Sequence, residues 1–145
     1  MSVLTYIASD APLPLKHFPD DLEVNFDLDT GIIDDGGSDD CFELTPCEHY
    51  DGVYTEKEYA VALGWHYYTD GRAQQVISII RENLSRTDEV EIWHLWMGFG
   101  EKPLVRSRTV SINELTAKDL LDLMNTDVFE ELYEIPVQYR IAVTR

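Results

Sequence analysis

Two short segments hold the side chains best suited to chemistry: Trp65-His66-Tyr67-Tyr68 and Trp93-His94-Leu95-Trp96. Imidazoles titrate near neutral pH, so histidines beside aromatic rings can do acid–base work. No carboxylate partner is identifiable for either histidine. The competing reading makes the tryptophans core residues and the histidines hydrogen-bonded fillers among them. Arg106, Arg108 and Arg140 form a basic island that suits an anionic ligand. In so acidic a chain, the competing reading for these arginines is ion pairing with the acidic N-terminal third. The candidate ligand-binding set is therefore Trp65, His66, Trp93, His94, Arg106, Arg108 and Arg140.

Other chemistries find less support. There is no Gly-x-Ser-x-Gly elbow, and Cys41 and Cys47 sit in an acidic stretch that raises a thiol pKa, so covalent catalysis is not expected. Cys41-x5-Cys47-x-His49 offers three zinc-type ligands at a spacing that fits no standard pair and leaves the site incomplete. Asp27-Leu28-Asp29-Thr30-Gly31 starts like a calcium loop, but its glycine comes one place early and Asp39 stands one place late for the bidentate glutamate. Gly36-Gly37 lies among aspartates that repel phosphate, and no Gly-x-x-x-x-Gly-Lys motif is present. Neither a metal nor a cofactor is expected, and no residue is assigned as catalytic.

Charge is the most unusual bulk property. The 145 residues carry 28 acidic and 11 basic side chains, net −17. Residues 1–55 contribute 13 acids and a single lysine. That field repels nucleic-acid backbones and anionic membranes and attracts a cationic partner. Asp34, Asp35, Asp39 and Asp40 are its densest run and the candidate partner-binding residues. The chain has no 18-residue apolar run and no basic, apolar leader, and its two cysteines make no disulfide framework, so a cytoplasmic protein with reduced thiols is expected.

The elements that must position these residues follow from periodicity. The last ninety residues read strand, helix, strand, strand, helix, strand. The strands centre on Tyr59–Tyr68, Glu89–Met97, Leu104–Ile112 and Val137–Thr144, and the helices on Gly71–Leu84 and Ala117–Met124. Thr69 or Asp70 caps the first helix, whose apolar stripe is Val76, Ile77, Ile80 and Leu84. Thr116 and Asp119 cap the second, with Leu115 and Leu120 placed as a hydrophobic staple. This is the order of a ferredoxin-like βαββαβ unit, which predicts an α+β fold with spatial strand order 4-1-3-2 and both helices on one face. The two Trp-His strands would then run parallel with one strand between them, roughly 10 Å apart. The N-terminal third reads as β-rich: a short strand over 2–8, a half-buried strand over Leu22–Leu28 and another over Cys41–Leu44. It is expected as an acidic extension (1–55) packed across the sheet of the 58–145 unit, one domain in all. Asp34–Asp40 lacks an apolar anchor and is expected to be its most mobile loop.

Three segments, Tyr6-Ile7-Ala8-Ser9-Asp10 with Pro12-Leu13, Glu91-Ile92-Trp93-His94-Leu95-Trp96 and Ser111-Ile112-Asn113-Glu114-Leu115-Thr116, give the chain a resemblance to a family of small acidic proteins from Gram-positive bacteria. The resemblance spans most of the chain and implies a bacterial cytosolic protein without an assigned activity. It transfers no catalytic residue. Two functions stay open. One is a non-enzymatic interaction protein, including an inhibitor that mimics nucleic acid, acting through its acidic surface on a basic protein. The other is a small-ligand binder or enzyme built on the Trp-His cluster and the arginines.

Overall fold

The computed structural model describes residues 3–47, 55–96, 104–126 and 137–145. Its elements run β1 (Val3–Ser9), β2 (Asn25–Phe26), β3 (Ile33–Asp34), β4 (Glu43–Pro46), β5 (Tyr59–Gly64), α1 (Asp70–Asn83), β6 (Glu89–Trp96), β7 (Leu104–Ser111), α2 (Ala117–Asn125) and β8 (Val137–Thr144). Six strands form one mixed sheet in the order β4-β5-β1-β6-β8-β7, and β2 and β3 form a separate two-stranded sheet. The class is α+β, as the periodicity indicates.

The strand order departs from the ferredoxin-like expectation. Strand β8 pairs antiparallel with β6 and parallel with β7, not with β5. Strand β1 lies between β5 and β6, antiparallel to both, with Ile7 opposite Val61 on one side and Ile92 on the other. The physical reason is in the β1 side chains. Ile7 faces one side of the sheet, Tyr6 and Ala8 face the other, and all three are fully buried. A strand apolar on both faces is shielded only in the middle of a covered sheet. Strands β5 and β6 are indeed parallel with one strand between them, but that strand is β1. The division into an extension and a C-terminal unit therefore fails: β1 and β4 are strands of the same sheet.

The helices form where their end signals say. The Thr69 hydroxyl accepts the Arg72 N–H at 3.1 Å and caps α1. At α2, Thr116 and Asp119 bond reciprocally as a capping box. Ala73, Val76, Ile77 and Ile80 of α1 and Leu120 and Leu123 of α2 share one buried cluster with Ile7, Val61, Ile92, Ile141 and Val143. Both helices thus cover the same face. On the opposite face, Tyr6 stacks on Trp93 with ring centres 6.0 Å apart, beside Ala8, Leu95 and Cys47. No helix among the described residues is long and apolar enough to cross a membrane.

The expected half-buried strand Leu22–Leu28 is the other correction. Only Asn25 and Phe26 are extended in a ladder, and Val24, Phe26 and Leu28 are all exposed. Alternation placed apolar residues on one side, but at the β4 edge of the sheet it is Lys16 that bridges to Leu44, and Asn25 and Phe26 pair with β3 instead.

Candidate functional site

Arg72 enters the core from the first turn of α1. It lies four residues before Val76 and eight before Ile80, on the buried stripe, and its side chain is wholly enclosed. A buried guanidinium needs a partner for its charge and acceptors for its fork. Asp35 supplies the charge, with Oδ1 2.6 Å from Nη2. The Ser38 and Tyr67 carbonyls accept from Nε and Nη1 at 3.0 and 2.9 Å, and the Tyr67 ring lies under the guanidinium.

Two glycines put Asp35 there. Gly36 and Gly37 both take positive φ, at 87° and 74°, a region strained for other residues. Their N–H groups donate to Asp34 Oδ1 and Asp35 Oδ1, which closes the turn. Asp35 Oδ2 then faces His66 Nδ1 at 3.0 Å and accepts from the Cys41 thiol at 3.2 Å. Burial pushes the Asp35 carboxyl up, but hydrogen bonds from Arg72, Tyr67, His66 and the Gly37 N–H outweigh it and hold it far below the usual carboxylate range. Burial pushes the Cys41 thiol up, and the Asp35 hydrogen bond adds to the rise. The run 34–40 is therefore anchored by charge instead of apolar contact. Asp34, Asp39 and Asp40 stay on the surface, whereas Asp35 is inside.

The candidate ligand-binding residues do not converge. Trp65 packs edge-on to Tyr68 at the rim of the helix-side core, and His66 stacks on Phe18. His94 also faces the helices, but buried, with Nδ1 2.9 Å from the Thr5 hydroxyl. Burial lowers its pKa, and a hydrogen bond to the Thr126 main chain opposes the shift. Trp93 and Arg140 lie on the opposite face. There Glu91, itself buried, holds Thr55, the Trp93 indole N–H at 3.2 Å and Arg140 Nε at 2.5 Å. Arg140 also pairs with Glu89, and Arg108 pairs with Asp119 at 2.9 Å. Arg108 and Arg140 thus meet acids of α2 and β6, not those of the N-terminal third. Arg106, Arg108 and Arg140 do line one hollow of about 230 Å³, together with Asp119 and Asp122.

Cys41 and Cys47 are buried in different surroundings: Cys41 meets Asp35, while Cys47 packs with Trp93 and Leu95. The Cys41-x5-Cys47-x-His49 spacing weighed above ends on His49, which lies outside the described residues. Asp27 Oδ1 accepts the Asp29 and Thr30 N–H groups, which shapes the β2–β3 turn. Sequence reasoning missed Arg72 and Glu91. The signal for each was a charge at helical or strand spacing within an apolar face, which obliges a buried partner.

The β2–β3 hairpin stands apart from the sheet. Leu28 is 87% exposed, Ile32 62% and Phe26 56%, with Val24 and Ile33 also open. Glu23, Asp27, Asp29 and Asp34 are exposed among them. Large apolar side chains held in water within an acidic surround are the pattern of an interaction site.

No family model, curated protein or solved structure matches this chain.

Proposed function

We propose that this is a non-enzymatic interaction protein that docks on a basic protein partner through its acidic N-terminal surface, with the β2–β3 hairpin as the point of contact. The carrying observation is the hairpin itself: five exposed apolar residues, Val24, Phe26, Leu28, Ile32 and Ile33, set among exposed carboxylates. Apolar side chains supply the affinity once covered, and the ring of acids selects a cationic surface and speeds encounter. Acidic spacing along the hairpin and the neighbouring Asp39 and Asp40 also suits a partner that binds nucleic acid. The resemblance to small acidic proteins of Gram-positive bacteria and a cytoplasmic setting belong to the same reading.

The test is capture of a partner on immobilised protein, followed by its identification. Phe26→Ser with Leu28→Ser, and separately Asp27→Asn with Asp29→Asn and Asp34→Asn, should each weaken capture by about tenfold or more. His66→Ala and Arg140→Gln should leave it unchanged. A captured protein without excess Lys and Arg, or one held equally by both hairpin variants, refutes the proposal. Loss of binding on Arg108→Gln or Arg140→Gln alone would favour the ligand-site alternative.

A further inference from the structure

We infer that Asp35, Cys41 and His66 form a zinc-type metal site that the hairpin reading does not require. The three residues come from separate places in the chain: the turn after β3, the approach to β4 and the segment after β5. One ligand atom from each, a carboxylate oxygen, a thiol sulfur and an imidazole nitrogen, lies within 4.8 Å of the other two. Oδ2 of Asp35 is 3.0 Å from His66 Nδ1 and 3.2 Å from Cys41 Sγ. With zinc bonds of about 2.0–2.3 Å, the edges of a tetrahedral site are about 3.3–3.7 Å, so small outward shifts admit the ion.

The donor set and its surroundings fit a borderline-soft cation. Sulfur and imidazole together select zinc over magnesium or calcium, and three protein ligands leave a fourth position open. The Asp35 carboxylate is oriented from behind: Arg72 and the Gly37 N–H donate to Oδ1, while Oδ2 faces Cys41 and His66. Asp35 also borders a hollow of about 510 Å³ whose other walls include Asp21, Glu23, Asp34 and Asp40, an acidic approach for a cation. His66 is partly open to solvent. Binding forms the metal–sulfur bond as the Cys41 S–H bond breaks. That proton leaves to solvent, and the His66 ring proton, donated from Nδ1 to Asp35 before binding, moves through solvent to Nε2 so that Nδ1 takes the ion. The spacing Cys41-x24-His66, with Asp35 the second of an aspartate pair, is not a recognisable sequence motif, so only the fold reveals it.

The experiment uses the full chain, reduced and freed of metal with a chelator, and titrated with zinc and then with cobalt(II). The expected result is one equivalent of each, with cobalt giving a near-ultraviolet thiolate charge-transfer band and intense visible bands of tetrahedral geometry. Cys41→Ser should abolish the charge-transfer band, and His66→Ala should weaken zinc by about 100-fold or more. Cys47→Ser should bind as the parent does. His66 is partly open to solvent and outside the sheet, so His66→Ala keeps the test valid even if Cys41→Ser fails to fold. Absence of uptake by the parent chain overturns the inference. So does uptake without a thiolate band, which would place the ion on surface aspartates, and so does uptake that His66→Ala leaves unchanged.

Discussion

Asp35 decides more of this protein than any other single residue. It neutralises Arg72, orients His66 and Cys41, and pulls an otherwise acidic surface turn against α1. Both side chains of the Asp35–Arg72 pair are wholly buried. Removing one member leaves the other charged and unpaired, so Asp35→Asn should cost about 3–5 kcal/mol, read as a lower urea midpoint in the presence of a chelator. The pH dependence follows from the direction of its shift. The folded carboxyl is held below its unfolded value of about 3.9, so its stabilisation is complete above about pH 4 and is lost as pH falls further. A urea series from neutral to acid pH should therefore show a steep loss below about pH 4 in the parent chain and a shallower one in Asp35→Asn. Equal slopes would mean that other carboxylates carry the acid response.

At the scale of elements, the contrast lies between two N-terminal pieces that both read as strands. Strand β1 is a central strand with Ile7 fully buried against both neighbours, while β2 carries Phe26 into solvent. Ile7→Ala should cost about 2–5 kcal/mol, the range for truncating an enclosed aliphatic side chain. Phe26→Ala should leave thermal stability nearly unchanged, within about 0.5 kcal/mol. Paired calorimetric scans check both. A large loss on Phe26→Ala would show that the hairpin is part of the core and would remove it as a docking element. The capping box at Thr116 and the cap at Thr69 set the helix starts, so both helices are well specified before any packing.

For the whole molecule, the controlling quantity is net charge of −17, concentrated in the N-terminal third. Association with a basic partner should be fast at low salt and should slow by about tenfold or more as the Debye length shrinks to about 8 Å and below. Stopped-flow rates over a sodium chloride series measure this. The dissociation rate should change much less, because the apolar residues Phe26, Leu28 and Ile32 govern it. A salt-independent association rate would separate the acidity from binding and leave it a matter of solubility alone.

Much of the architecture was legible in the chain. The two helices, their caps, the four later strands and the α+β class all follow from local spacing, because capping and alternation depend on neighbours a few residues apart. Strand order did not follow, since Ile7 and Tyr6 show only that β1 is covered on both faces and not which strands cover it. The burial of Asp35 was equally hidden: among Asp34, Asp39 and Asp40 it looks like one more solvated acid, and only Arg72, 37 residues away, distinguishes it. The Trp-His segments do not converge, for a simpler reason. Adjacent residues on a strand point to opposite faces, so Trp93 and His94 were bound to separate. His66, beyond the end of β5, was free to turn toward Asp35 and Cys41. Local elements are set by short-range chemistry, whereas long-range partners exist only once the sheet has chosen its order.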